Sequence, residues 1–161
     1  MTSIHIVSSA QAASKANQLS ERGESQQNNV AVKLAWMLAA AFAGAGIFGF
    51  VPNPLVGHDA LFMTNTAHNL VHLFTAVGFA VVALMGHKAS TRFMLVFGPV
   101  YALVGLIGLV TLGSASEGYL LGVVHINFLD NFLHIGLGII IGAAGLYTLS
   151  TADRRIRQPQ A

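Results

Sequence analysis

The residues able to do chemistry lie in two matching runs. Asn65-Thr66-Ala67-His68-Asn69-Leu70-Val71-His72 and Asn127-Phe128-Leu129-Asp130-Asn131-Phe132-Leu133-His134 share the pattern N-x-x-[HD]-N-x-x-H at an offset of 62 positions. Intervals of three, four and seven residues return to the same face of an α-helix. Asn65, His68, Asn69 and His72 therefore form one polar stripe, and Asn127, Asp130, Asn131 and His134 a second. Asn65 and Asn127 are good N-cap residues, and Asp130 would sit in the positively polarised first turn. Capping does not reach His72 or His134, about 10 Å further along each helix. Several chemistries fit these deep histidines. A neutral imidazole can hydrogen-bond across helices to Asn69 or Asn131, which fixes packing. His68, His72, Asp130 and His134 make a three-histidine, one-carboxylate set suited to a divalent metal, with the asparagines behind it. One histidine, or the pair His72 and His134, could ligate the iron of a haem or the magnesium of a chlorophyll, with nearby glycines making room. A proton or small-solute pathway is the remaining reading. The packing role is the first expectation.

The elements that must carry these stripes follow from composition. The chain has 161 residues, of which 54% are hydrophobic and 9% charged, against about 25% charged in soluble domains. That balance points to an all-α integral membrane four-helix bundle in one domain of residues 31–150. Four apolar stretches of spanning length lie near 31–51, 65–86, 93–112 and 127–149. Pro52 and Pro54 end the first, Gly86-His87-Lys88 turns between the second and third, and Gly113-Ser114-Ala115-Ser116 stops the third. Residues 1–30, with six Ser, four Gln and three Asn, read as a flexible polar tail and not as a secretory signal. Residues 151–161 read as a basic tail.

All eight Lys and Arg residues fall on one side of this map: Lys15, Arg22, Lys33, Lys88, Arg92, Arg154, Arg155 and Arg157. The positive-inside rule then puts both termini in the cytoplasm and the connections 52–64 and 113–126 outside. The localisation expected is a bacterial inner membrane, cytoplasmic or photosynthetic, with both polar stripes starting at the outer face. Intramembrane polar groups are costly against lipid, so the stripes should face each other inside the bundle. His58 and His125 read as ordinary loop residues, and Tyr101 wants a partner for its hydroxyl.

The repeat extends upstream. Gly46-Ile47-Phe48-Gly49-Phe50-Val51 echoes Gly105-Leu106-Ile107-Gly108-Leu109-Val110 at an offset of 59, so the second outer connection is three residues longer. Two tandem helical hairpins of the same orientation are expected, related by an axis along the membrane normal. Ala76, Gly138 and Gly142 would let helix backbones approach closely. The absence of cysteine excludes disulfides and thiolate metal sites. No dense basic patch for nucleic acid, phosphate loop, nucleophile or paired-carboxylate site emerges, so enzymatic activity is not favoured. The partners expected are the lipid bilayer and either further copies of the chain or a larger membrane assembly in which it is a small accessory subunit.

At these residues the sequence resembles a bacterial family of small four-helix membrane proteins known as domain of unknown function 4383. The resemblance rests on Asn65-Thr-Ala-His68-Asn69-Leu-Val-His72-Leu73, on Asn127 through Asp130-Asn131 to His134 with Gly136 and Gly138, and on Phe97-Gly98 and Tyr101-x-x-x-Gly105. It covers roughly residues 31–150 and implies the fold and a multi-pass membrane location. It implies no activity or cofactor, and the polar N-terminal segment has no counterpart in the family pattern.

Overall fold

A computed structural model describes residues 3–156. In chain order these form α1 (Ser3–Phe48), β1 (Val56–Gly57), β2 (Phe62–Met63), α2 (Thr66–Leu84), α3 (His87–Leu112), β3 (Glu117–Leu120), β4 (Val124–Asn127) and α4 (Phe128–Ile156). Among the described residues, four helical stretches are long and apolar enough to cross a membrane: Val30–Phe48, Thr66–Leu84, His87–Leu112 and Phe128–Ser150. Their outward faces carry large apolar side chains such as Phe74, Leu84 and Val110, as a bundle solvated by acyl chains requires.

Two boundaries depart from the sequence reading. The segment expected as a flexible tail is helical and continuous with the first span, so that α1 is 46 residues long. The physical reason is compositional: Ser, Ala and Gln are the commonest residues of 1–30, and no proline occurs before Pro52, so no missing amide interrupts the ladder. Side chains from 9 to 19 are exposed, which is why this helix shows no apolar stripe. At the other boundary α3 begins at His87, not near residue 93, so Lys88 and Arg92 belong to its first turns. Only Met85 and Gly86 join α2 to α3, with Gly86 at φ 93°, a conformation that glycine adopts without a steric penalty. Ser90 Oγ donates to the carbonyls of Val82 and Gly86, both at 3.0 Å. Of the expected basic tail, 151–156 continue α4, and 157–161 lie outside the described residues.

Helix α1 packs chiefly on α2, and α3 on α4. The second contact depends on missing side chains. A Cβ on Gly98 would meet the Gly142 backbone, one on Gly138 the Ala102 backbone, and one on Gly145 the Leu95 backbone. The half of the bundle toward the α2–α3 turn is filled by Ala31, Ala35, Ala39, Phe42, Phe79, Met94 and Ile141. Phe42 stacks on Phe79 at 5.7 Å and meets Phe97 and Tyr101 edge-on.

The two connections at the opposite end are more ordered than sequence alone indicates. In the first, Asn53 Nδ2 donates to the carbonyls of Phe48, Val51 and Val56, while its Oδ1 accepts from the amides of Leu55 and Val56. One side chain thus finishes α1 and shapes the turn into the parallel pair β1–β2. In the second, β3 and β4 form an antiparallel hairpin with a three-residue loop, 121–123, in which Leu121 (φ 53°) and Gly122 (φ 74°) both take positive φ.

Candidate functional site: a buried histidine cluster

The cluster starts at the two helix caps. Asn65 Oδ1 accepts from the His68 amide at 3.0 Å, and Asn127 Oδ1 accepts from the Asp130 amide at 2.9 Å. Each asparagine has a second hand. Asn65 Nδ2 donates to the Val123 carbonyl at 2.8 Å, and Asn127 Nδ2 donates to the Leu61 carbonyl at 2.9 Å. Leu61 and Val123 are themselves 62 positions apart, so each cap clasps the loop that precedes the other.

Other contacts recur at the same offsets. A Cβ on Gly49 would collide with the Asn69 carboxamide, and one on Gly108 with that of Asn131. A Cβ on Gly46 would meet the Asn69 carbonyl and Leu73, and one on Gly105 the Asn131 carbonyl and Ile135. Phe42 meets the His72 ring edge-on at 5.8 Å, and Tyr101, its counterpart, lies tilted against His134 at 4.4 Å. Phe42 and Tyr101 also meet each other, at 5.4 Å.

Inside the caps the two stripes meet. His68, His72 and His134 are all buried, and one nitrogen from each lies within 4.8 Å of the others. Two of the rings have their orientation fixed from behind. His68 Nδ1 donates to the His125 carbonyl at 2.8 Å, and His134 Nδ1 donates to the Asp130 carbonyl at 2.8 Å. Asp130 Oδ1 lies 3.4 Å from the same His134 nitrogen. A donor commitment at Nδ1 leaves Nε2 as the lone pair, which is how metal-ligating imidazoles are held. Neither nitrogen of His72 has a hydrogen-bond partner, and Asp130 Oδ2 has none.

Of the eight stripe residues, His68, His72, Asp130 and His134 are thus brought together. Asn65 and Asn127 form the clasp above them. Asn69 and Asn131, expected to hydrogen-bond the deep histidines, are instead lodged against Gly49 and Gly108. Side-chain hydrogen bonding across helices does not account for His72, because an imidazole satisfied in that way would not leave both nitrogens bare. Leaving such groups unpaired costs about 1–3 kcal/mol, a cost that ligation would remove. The glycines nearest the deep histidines, Gly98, Gly105 and Gly138, leave no room for a macrocycle, because the facing helix fills the space beside each. The donor set therefore fits a bare ion better than a haem or chlorophyll.

Sequence reasoning missed His125. It is 3% exposed and sits between Tyr119 at 4.9 Å and His58 at 5.2 Å. Its Nε2 is 3.4 Å from Glu117 Oε2, and its Nδ1 is buried without a partner. The available signal was the Val124-His125-Ile126-Asn127 alternation just before the second stripe, which marks a half-buried strand.

Comparison of the chain with protein-family models, with curated proteins and with solved structures returned no match.

Proposed function

We propose that this chain is a multi-pass membrane protein whose outer half holds a divalent transition-metal ion on His68, His72 and His134. Asp130 orients His134 and balances charge. His72 carries the reading: it is a buried imidazole with two unpartnered nitrogens, facing two rings already fixed with one lone pair each. Three neutral imidazoles with a carboxylate behind them suit zinc, copper, iron or nickel. A position left open beside three ligands distinguishes a reactive centre from a structural one.

The scaffold is two tandem helical hairpins about a pseudo-twofold axis along the membrane normal. The recurrent contacts at offsets of 59 and 62, and the exchanged caps, support it. Both termini are cytoplasmic, as the placement of every Lys and Arg favours. A bacterial inner membrane is part of the same proposal and rests on the resemblance of the doubled motif alone. The asparagines retain the packing role, and the broad apolar exterior suits lipid, further copies of the chain, or a larger assembly in which it is accessory.

Purification in mild detergent followed by elemental analysis and an absorption spectrum tests the centre. The expected result is a stoichiometric metal, lost on His72→Ala and His134→Ala, with no Soret or chlorophyll band. Folded protein that neither retains nor takes up a divalent ion would overturn the reading.

A further inference from the structure

We propose that the seam between α1 and α2 binds one anionic phospholipid from the leaflet on the side of the α2–α3 turn, with an acyl chain in the seam and the phosphate on Lys33. The inference rests on the multi-pass reading and not on the metal centre.

The two halves of the repeat differ at this seam. In the second half, Gly98, Gly138 and Gly142 let α3 and α4 touch through bare backbone: a Cβ on Gly98 would meet the Gly142 backbone, and one on Gly138 the backbone of Ala102. Their counterparts at offsets of 59 and 62 are Ala39, Ala76 and Ala80. Methyl groups therefore stand where the second half has none, and they hold α1 and α2 apart. The gap is an apolar groove of about 360 Å3, in which Ala39, Ala40 and Ala43 face Ala76 and Ala80, with Trp36 at one end. Leu95, the counterpart of Trp36, packs instead against Gly145.

Shape and charge select the occupant. From Trp36 to Ala43 the groove follows α1 for about 10 Å, and it is too small to admit a helix, which is about 10–12 Å across. An acyl chain fits, and it restores the dispersion contacts that the walls of an empty groove lack. Lys33, Trp36, Ala40 and Ala43 succeed one another at intervals of three, four and three, so they share a face of α1. Lys33 and Trp36 are both exposed. A helical side chain leans toward the N-terminus of its helix, which carries the Lys33 ammonium away from the groove and into the headgroup layer. Trp36 lies between them, with an indole suited to the interface. Ammonium, indole and apolar slot thus follow the order of a phospholipid's phosphate, ester region and chain. Arg92 holds the place of Lys33 in the second half, but there no slot opens behind it.

Trp36 is the single tryptophan of the chain and serves as the reporter, because bromine quenches an indole only on close approach. Delipidated full-length protein in neutral detergent is titrated with phosphatidylglycerol carrying brominated acyl chains. Quenching should saturate, should be reversed by unbrominated phosphatidylglycerol, and should reach its midpoint at a roughly fivefold lower concentration than with brominated phosphatidylcholine, the preference one lysine contributes at a charged surface. Lys33→Gln should remove that preference while keeping the weaker quenching. Ala40→Leu, which fills the slot from an exposed position, should abolish saturable quenching. Circular dichroism in lipid-free detergent checks that both variants fold. Quenching that never saturates, or a preference that survives Lys33→Gln, would overturn the proposal in favour of bulk lipid contact. A dimer that excludes the lipid and separates on Ala40→Leu would overturn it in favour of a second copy of the chain. Protein that stays soluble and monodisperse without detergent would overturn the multi-pass reading itself, and the lipid site with it.

Discussion

His72 offers the sharpest single-residue experiment. In metal-free protein its two nitrogens are buried without partners and its ring lies edge-on to Phe42. Phe in its place exchanges unsatisfied polar atoms for carbon among aromatic neighbours. His72→Phe should therefore raise the stability of the apo protein by about 1–3 kcal/mol while abolishing ion-dependent stabilisation. Thermal unfolding in detergent with and without Co2+ reads both effects, and a destabilised apo variant would contradict them. At the caps, Asn65→Ala and Asn127→Ala should each cost about 1 kcal/mol for the lost cap and roughly as much again for the lost clasp. Asn65→Asp, which keeps the capping oxygen but not the donor, should recover only the first part. The capping half of this was legible, because N-x-x-[HD] before an apolar run is a helix start. The clasp was not legible, since its acceptors are main-chain carbonyls of Leu61 and Val123, which no side-chain pattern marks.

Among the elements, the glycines separate packing from propensity. Gly108→Ala and Gly49→Ala drive a methyl into the carboxamides of Asn131 and Asn69, and Gly98→Ala into the Gly142 backbone. Gly136→Ala and Gly44→Ala meet nothing within 4 Å. The first set should lose several kcal/mol, in line with overpacking of a tight core. The second should be neutral or gain up to about 1 kcal/mol from helix propensity. Melting temperatures across the five variants check the order. The four apolar spans were readable from length and hydropathy, and the facing of His68, His72 and His134 from their spacing. The helical state of 3–30 was not, because side chains that face solvent, as those of 9–19 do, need no apolar periodicity. The two-residue strands β1 and β2 carry too little pattern to be read, whereas the alternation of Val124-His125-Ile126-Asn127 was there to mark β4 and with it the burial of His125.

For the whole molecule, orientation is the testable property. A reporter fused after Ala161 should be active in the cytoplasm, and one inserted at Gly122 should be active outside. The reverse pair of results would invert the map and place the histidine cluster toward the cytoplasmic face. The repeat was plain in the sequence, and so was its asymmetry: His68 and Asp130 occupy matching positions, which yields three imidazoles and one carboxylate instead of four imidazoles. For a dication in a low-dielectric interior that substitution matters, because a nearby carboxylate offsets charge that imidazoles cannot.

The exchanged caps also bear on biogenesis. While the ribosome is still making the second half, Asn65 has its own helix to cap but no Val123 carbonyl to grip, and the Leu61 carbonyl waits for Asn127. Neither half emerges with its cap end finished. The first pair of helices must persist in the bilayer with a polar edge open until the second pair arrives, so the two halves mature together, and a chain truncated after Gly86 would be exposed to quality-control proteolysis.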